Sequence, residues 1–329
     1  MLTFYGAGVK GPIDVDRHAT SLPDNVHWID AFDPSPDETA FLAGVLETTI
    51  PTRDDLVEIE SSSRLMAVDG ALRISLPATL RNGDGYADAT PVGMVVTPAR
   101  VATIRFARLP SFDKLVTNVC AKGDVSAGGT GAAITILEMI IDQIADLLEQ
   151  VGGELDATSR SIFRNDTLNG AKRGPTQSGE ALSKLLRTIG RTADLITKVS
   201  ETVLVLSRVP SFIVTKGAAM TTPEHRTRLE TIGLDARSLH EHGEQLANKT
   251  QFLLDTLLGL ANIEQNNVFR VLTVVSVVGI PPTFFASMYG MNFKTMPEYD
   301  WTYGYPYGLT LIALSALIPA VWFKVKGWW

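Results

Sequence analysis

The sequence predicts an α+β membrane protein, with an N-terminal cytoplasmic α/β domain, long helices and two C-terminal transmembrane helices. The membrane part of this prediction depends on two stretches that are almost free of charge. Residues 271–291 contain no charged side chain, and residues 305–325 contain one, Lys324, near their end. A helix of that length rises roughly 30 Å, the thickness of the hydrocarbon core of a bilayer. Buried helices of soluble proteins rarely stay uncharged for so long, so we interpret these stretches as the first span and the second span.

The composition is typical of a soluble domain joined to membrane spans. The chain has 329 residues, of which 45% are hydrophobic, and a formal net charge of −7. An acidic chain is a poor partner for nucleic acid, which requires a basic face. The single cysteine, Cys120, excludes a disulfide within the chain and a cysteine-based zinc site. The N-terminal residues lack the basic and apolar regions of a signal peptide, so we expect none.

Residues 1–125 are predicted to form the cytoplasmic α/β domain, because strand and helix signals alternate there. The predicted strands are residues 26–30, 92–96 and 101–106, together with a hairpin over residues 63–76. Asp69 and Gly70 provide the two-residue turn of that hairpin. Ser35 and Glu38 are spaced as a capping box that begins one helix, and Thr52 begins a shorter one.

Residues 126–221 are predicted to form a cytoplasmic helical hairpin. Apolar residues recur at helical spacing from Thr130 onward and again over residues 180–209. The polar stretch 165–179 separates the two helices. A long stalk helix follows over residues 222–267, with Thr222 as its N-cap. We expect it to continue into the membrane as one helix to residue 292, because no proline interrupts it before Pro281.

Acidic side chains follow one face of the first helix of the hairpin, at spacings of three, four and seven residues. They are Glu138, Asp142, Asp146, Glu149 and Asp156. Carboxylates in this arrangement could hold hydrated divalent cations at a subunit boundary, and the first four are candidate regulatory cation contacts. An ordinary solvated helix face explains the same pattern, and the sequence alone favours that simpler interpretation.

The two spans are joined by a short loop, so both flanks lie on the same side of the membrane. The predicted segments are the first transmembrane helix 268–292, the periplasmic loop 293–304, and the second transmembrane helix with its basic tail 305–329. Arg270, Lys324 and Lys326 flank the spans, whereas the loop carries one lysine and two carboxylates. Basic flanks face the cytoplasm. We therefore expect a bacterial-type inner (plasma) membrane protein with cytoplasmic N- and C-termini.

A short motif gives this architecture a specific meaning. Tyr289-Gly290-Met291-Asn292-Phe293 ends the first span, and Met296-Pro297-Glu298 follows in the loop. This motif, placed between two C-terminal spans after a long amphipathic helix, closely resembles the CorA family of magnesium and cobalt transporters. The resemblance is sharp over residues 260–326. It implies a homopentameric pore that moves hydrated Mg²⁺, and also Co²⁺, past a selectivity motif formed by Gly290, Met291 and Asn292.

The same resemblance implies which residues of the first span line the pore. We call them the pore stripe: Asn266, Phe269, Leu272, Ser276, Ile280, Thr283, Ser287 and Gly290. Their spacings of three and four residues place them on one helical stripe. Phe269 and Ile280 stand where many relatives have methionine, and Ser287 where many have glycine. Asn292 lies off the stripe in a regular helix and can point at the axis only if the helix ends before it.

The pore stripe has no carboxylate, thiolate or imidazole, so it offers no charged ligand to a bare cation. Mg²⁺ keeps much of its hydration shell, and amide oxygens of Asn292 can accept hydrogen bonds from those waters. Thr283 offers a second polar ring, and the apolar members Phe269, Leu272 and Ile280 can close the path by excluding water. Asn292 could equally serve as a helix C-cap, and the two roles are compatible.

Three other functions compete with this one. A zinc transporter of the same superfamily is the closest alternative, although the loop has no histidine or cysteine. A membrane-anchored oligomeric sensor or scaffold without transport would share the long helix. An enzyme is disfavoured, because the five histidines show no nucleophile or metal-ligand spacing: His18, His27, His225, His240 and His242. We therefore expect a homo-oligomer in a lipid bilayer, with divalent cations as its partners and no enzymatic activity.

Overall fold

The computed structural model divides into two compact units, Met1–Leu254 and Asp255–Trp329. The residues described are 1–6, 9, 11–13, 22–58, 60–81, 87–109, 112, 116–117, 126–163, 175–291, 296–297 and 300–328. Several residues singled out above lie outside them. These are His18, Cys120, residues 165–174 of the polar stretch, Asn292, and residues 293–295, 298 and 299 of the loop.

A six-stranded mixed sheet forms the centre of the first unit. Its strands are β1 (Leu2–Gly6), β2 (Val26–Phe32), β3 (Leu65–Val68), β4 (Ala71–Arg81), β5 (Ala87–Val96) and β6 (Val101–Arg105). The strand order is β1-β2-β6-β5-β4-β3. Strands β2 and β6 are parallel and the other neighbours antiparallel. A parallel pair needs a long crossover connection, which the elements between β2 and β6 provide.

The predicted hairpin is confirmed at its turn. Strands β3 and β4 pair in register from Val68 and Ala71, and Asp69 and Gly70 have φ angles of 52° and 76°. Positive φ at both central residues is the geometry of the two-residue turns that match the twist of a hairpin. The edge strand β1 was not predicted.

Two short helices begin where the capping residues predict, α1 (Pro36–Leu46) and α2 (Arg53–Val57). A third, α3 (Ser61–Arg64), was not predicted: it has no side-chain cap and it overlaps the start of the predicted hairpin 63–76. The hydroxyl of Ser35 accepts from the backbone N–H of Glu38 at 3.2 Å, and the Glu38 carboxylate accepts from the N–H of Ser35 at 3.0 Å. Thr52 and Asp55 form the same reciprocal pair at the start of α2. Each box satisfies two backbone donors that the first helical turn leaves free.

Long helices follow: α4 (Gly129–Phe163), α5 (Pro175–Leu206) and α6 (Val209–Lys216), then a 3₁₀ turn at Ala218–Met220. The predicted helix over 180–209 is wrong at both ends. Helix α5 already begins at Pro175, inside the predicted polar stretch, because proline is favoured at the first position of a helix. It stops at Leu206, and a separate helix begins at Val209. Pro210 explains the break, since it has no N–H for the carbonyl of Leu206. The segments α4 and α5 both pack against the sheet.

The sheet is buried between helical layers. Leu42 and Leu46 of α1 pack with Ile29 and Ile104 in one apolar cluster. An ion pair that the sequence did not suggest lies beside it: Arg105 contacts the buried carboxylate of Asp30 at 2.9 Å. Buried charges are tolerated when they are paired and hydrogen-bonded.

Two helices account for most of the second unit. Helix α7 (Pro223–Tyr289) begins in the first unit and reaches the end of the first span, and α8 (Gly304–Val325) covers the second span. Thr222 caps α7 as predicted, because its hydroxyl accepts from the N–H of His225 at 3.2 Å. Within the described part of the chain, α7 and α8 are the two helices whose length and composition would let them cross a membrane. Both predicted spans are therefore helical.

Candidate functional site

Helix α7 ends at Tyr289, three residues before Asn292. The N–H of Gly290 lies 3.0 Å from the carbonyl of Ala286 and 3.2 Å from that of Ser287, so the last turn tightens. The prediction of a helix to residue 292 was therefore too long, since glycine is a poor helix former. Asn292 itself lies outside the described residues. The early helix end meets the condition under which its side chain can leave the helical register.

One face of the first span is partly covered. Half-buried residues recur on it every three or four positions: Val274, Val278, Pro281, Phe285 and Tyr289. Helix α8 lies beside this face near the predicted outer end. There Tyr289 and Gly290 line a cavity of about 480 Å³ together with Gly304 and Gly308 of α8. Small residues on α8 allow two helix backbones to approach closely in a membrane.

The pore stripe lies on the opposite face. At about 100° per residue, its centre is about half a turn around α7 from the half-buried residues. Phe269, Leu272 and Ile280 are 56%, 60% and 65% exposed in the single chain. Asn266, Thr283, Ser287 and Gly290 are also exposed, and Ser276 is half-buried. The stripe from Asn266 to Ser287 therefore occupies the face that α8 leaves uncovered, whereas Gly290, just past the end of α7, also lines the cavity beside α8.

The hydroxyl of Thr283 has a defined orientation. It donates to the carbonyl of Gly279 at 2.9 Å, four residues earlier in α7. Its hydrogen is thereby used within the helix, and the oxygen presents only lone pairs outward. Waters bound to a cation point their hydrogens outward, so this oxygen is suited to accept from a hydration shell.

Pro281 and Pro282 lie inside α7. Neither has an N–H, so the carbonyls of Val277 and Val278 lack their helical donors. Membrane helices tolerate such breaks where neighbours or water satisfy the freed oxygens. Both prolines are half-buried.

The acidic face of α4 is not uniform. Glu138 is paired with Arg228 of α7 at 2.6 Å, and Asp156 with Lys249 at 2.5 Å. The hydrogen bond from Lys249 lowers the pKa of Asp156. Glu138 is half-buried, whereas the other four carboxylates of this face, Asp142, Asp146, Glu149 and Asp156, are exposed.

No group of three or more His, Cys, Asp or Glu that could hold a metal ion occurs among the residues described in this single chain. The two basic side chains that pair with the acidic face, Arg228 and Lys249, lie about ninety residues further along the chain than their partners. No local sequence pattern therefore marks these pairs.

Comparison with known proteins identifies the family. The family profile described as CorA-like Mg²⁺ transporter protein matches residues 23–325. The chain is 31% identical over 316 residues to the magnesium transport protein CorA of Pasteurella multocida, covering 96% of each chain. It is also 31% identical over 304 residues to the magnesium transport protein CorA of Escherichia coli K12, covering 92% of each.

A solved structure shares the fold along the whole chain. The CorA magnesium transporter from Methanocaldococcus jannaschii superposes with a TM-score of 0.74 at 19% identity, covering 100% of this chain and 98% of that one. The architecture of an α/β unit, long helices and two C-terminal apolar helices is common to both. The match of the family profile over nearly the whole sequence, together with these relatives, shows that the chain belongs to the CorA-like Mg²⁺ transporter family.

Proposed function

We propose that this chain is a divalent cation channel that moves hydrated Mg²⁺ across the inner membrane. The pore lies on the axis of a homo-oligomer, which we take to be a homopentamer with cytoplasmic N- and C-termini. Family membership supports the cargo, because both curated relatives are named as magnesium transport proteins.

The uncovered face of α7 is the observation that carries the proposal. Phe269, Leu272 and Ile280 are each more than half exposed on the side that faces away from α8. Two helices cannot enclose an aqueous path, so several copies must surround it. In such a ring, α8 covers one side of the first span, and the pore stripe on the other side faces the axis.

The chemistry of the stripe suits a hydrated ion. Mg²⁺ loses water reluctantly, and a path without formal charge does not force it to do so. The lone pairs of Thr283 and the amide oxygen of Asn292 can accept hydrogen bonds from the shell. Binding through water stays weak enough for release, as conduction requires. Phe269, Leu272 and Ile280 form apolar constrictions that close when water leaves them.

Co²⁺ is a second cargo on the same grounds. A site that contacts only the waters of an ion responds to its charge and hydrated size, and less to the ligand preference of the metal. Zinc transport is the alternative within the superfamily. It is disfavoured because the loop after the first span has no histidine or cysteine that would bind zinc in preference to magnesium.

Regulatory cations are assigned to the acidic face of α4. The exposed carboxylates Asp142, Asp146 and Glu149 can contact a cation held between neighbouring copies. Glu138, the fourth candidate, already binds Arg228 and would have to give up that pair. A divalent cation can be coordinated by carboxylate oxygens from more than one chain. Its binding is then linked to the packing of neighbouring subunits.

Reconstitution in lipid vesicles tests the function. Vesicles that contain the purified protein and an internal Mg²⁺ indicator should show uptake with the wild-type chain and none with Asn292→Ala, at equal protein content. Parallel vesicles with a Zn²⁺ indicator, with and without a proton gradient, separate the zinc alternative. Uptake of Zn²⁺ without Mg²⁺ would replace the proposal, and no ion flux at all would favour the scaffold.

Assembly is measured on the same preparation. Light scattering in detergent should give the mass of a pentamer for both the wild-type chain and Asn292→Ala. A monomeric mass would remove the pore from the proposal.

A further inference from the structure

Helix α8 ends in a Schellman motif. The N–H of Trp328 donates to the carbonyl of Phe323 at 3.0 Å, and the N–H of Gly327 donates to that of Lys324 at 3.1 Å. Gly327 has a φ of 70°, the left-handed conformation that this motif requires and that glycine adopts without strain. The chain therefore reverses direction directly after α8.

This reversal returns Trp328 to the helix. Its ring centroid lies 5.5 Å from that of Phe323, which is 3% exposed and anchors the end of α8. The guanidinium carbon of Arg270 lies 5.9 Å from the centroid of the Trp328 ring. Trp328 thus contacts the last turn of α8 and also a cation on α7. We call the contact between Trp328 and Arg270 the clasp.

Arg270 occupies a sensitive position. It is the last charged residue before the first span and adjoins Phe269 of the pore stripe. It lies about a third of a turn from the centre of the stripe, so its long side chain can turn toward α8 or toward the axis. No salt bridge joins it to a carboxylate within the described part of the chain. The aromatic ring is the partner that the structure gives it.

We infer that Trp328 is a positioning residue for transport, which holds the Arg270 guanidinium beside α8 and away from the pore axis. The inference rests on the proposed function, in which several copies surround a cation path. Without the clasp, the guanidinium of each copy could turn inward. A ring of like charges at the inner end of the path would then repel Mg²⁺. Arginine stays charged at all physiological pH values, so it cannot relieve this repulsion by losing a proton.

The sign of a double-mutant effect distinguishes this role from simple packing. Trp328→Leu should lower Mg²⁺ uptake into vesicles roughly fivefold, the shift in side-chain population expected when a cation–π contact is lost. Trp328→Phe keeps a weaker aromatic face, so its uptake rate should lie between those of the wild type and Trp328→Leu. Adding Arg270→Gln to Trp328→Leu should restore uptake to near the wild-type rate, because the charge that repels the ion is gone.

Trp322 provides the matched control. Its ring makes an edge-to-face contact with Phe323, with the two centroids 5.0 Å apart, and no cation lies over it among the described residues. Trp322→Leu therefore removes a tryptophan from the same helix end and should leave uptake within about twofold of wild type. Gly327→Ala should reproduce Trp328→Leu, because alanine is strained at positive φ and the motif opens.

A measurement without transport tests the clasp directly. In protein labelled with 5-fluorotryptophan, the ¹⁹F resonance that Trp328→Phe removes should shift in Arg270→Gln and stay in place in Lys326→Gln. If Arg270→Gln leaves the Trp328 resonance unmoved, the clasp does not form, whatever rate of Mg²⁺ uptake is measured. Failure of the wild-type chain to carry Mg²⁺ would count against the proposed function instead. If the wild type carries Mg²⁺ but the double variant is as slow as Trp328→Leu, or Trp322→Leu is equally slow, the positioning role is wrong.

Discussion

Arg228 of α7 donates hydrogen bonds to both carboxylate oxygens of Glu138 of α4, at 2.8 and 2.6 Å. The same guanidinium reaches the hydroxyls of Ser126 and Thr135 at 3.3 and 3.1 Å. The bonds to Glu138 raise the pKa of Arg228. This planar, two-pronged geometry is specific to arginine and a carboxylate. It fixes the start of the stalk helix to α4 within the first unit.

Replacing Arg228 should destabilise that packing more than replacing its partner. Arg228→Met leaves a partly covered carboxylate without its cation, and we expect a loss of about 1 kcal/mol in the free energy of unfolding. Glu138→Gln keeps an acceptor and should cost less. Hydrogen exchange of the first turns of α4 in the full-length protein measures both.

Lys249→Met is the matched control for this comparison. It removes an exposed pair, with Asp156, that also joins α7 to α4. Exposed pairs contribute little, so exchange in α4 should remain at the wild-type level. Equal protection in all three variants would show that the Arg228 pair does not hold the helices together.

The capping box of α2 should be sensitive to acid. The backbone N–H and the hydroxyl of Thr52 lower the pKa of Asp55 below its ordinary value of 3.8. A carboxylate with a depressed folded pKa stabilises the fold above its unfolded pKa and loses that effect as pH falls through the folded value. Protection of the α2 amides should therefore decline below pH 3.8, after correction for intrinsic exchange.

Asp55→Asn tests the assignment of that acid sensitivity. The asparagine cannot titrate, so α2 should show reduced protection at neutral pH and no further loss on acidification. A variant that still loses protection in the same acid range would place the responsible group elsewhere in the first unit.

Asn292→Asp should separate binding from flux at the outer mouth. A ring of carboxylates there should tighten binding of divalent cations and slow their release, so the concentration for half-maximal uptake falls together with the maximal rate. Ser287→Ala is deeper in the first span and should have a milder effect, because Thr283 remains. Uptake kinetics over a range of Mg²⁺ concentrations measure both. An Asn292→Asp variant with wild-type kinetics would mean that the filter lies elsewhere.

The orientation of the spans is tested at Thr302, an exposed residue just before α8. In a Cys120→Ser background, Thr302→Cys should react with a membrane-impermeant thiol reagent added to intact cells. A cysteine at exposed Asp235, on the long helix within the first unit, should react only after lysis. The reverse pattern would invert the predicted topology.

Sequence reasoning succeeded where the cause is local. Ser35 and Glu38 lie within one helical turn, so their spacing alone predicts the capping box that forms. The two apolar helices follow from the absence of charge over about twenty residues, which the sequence shows directly. Pro210 was an available signal for the break after α5, and the apolar periodicity concealed it.

Tertiary pairing was beyond the reach of the sequence. Glu138 and Arg228 are ninety residues apart, and a single sequence contains no pattern that joins them. The acidic face therefore looked uniform, although in the structure Glu138 and Asp156 are each paired with a basic side chain of α7. The contact of Trp328 with Arg270 has the same origin. A glycine after a helix signals a cap, but the position to which the next side chain returns depends on a second helix.

The two prolines of α7 have a mechanical consequence. Bending a regular helix stretches its hydrogen bonds, but at Val277 and Val278 those bonds are already absent. The first span is therefore elastically softest near its middle, between Leu272 on one side and Thr283 on the other. Its outer third can therefore tilt relative to its inner third against little resistance. In the proposed pore, opening an apolar constriction and rearranging the outer mouth can then be two separate motions of a single helix.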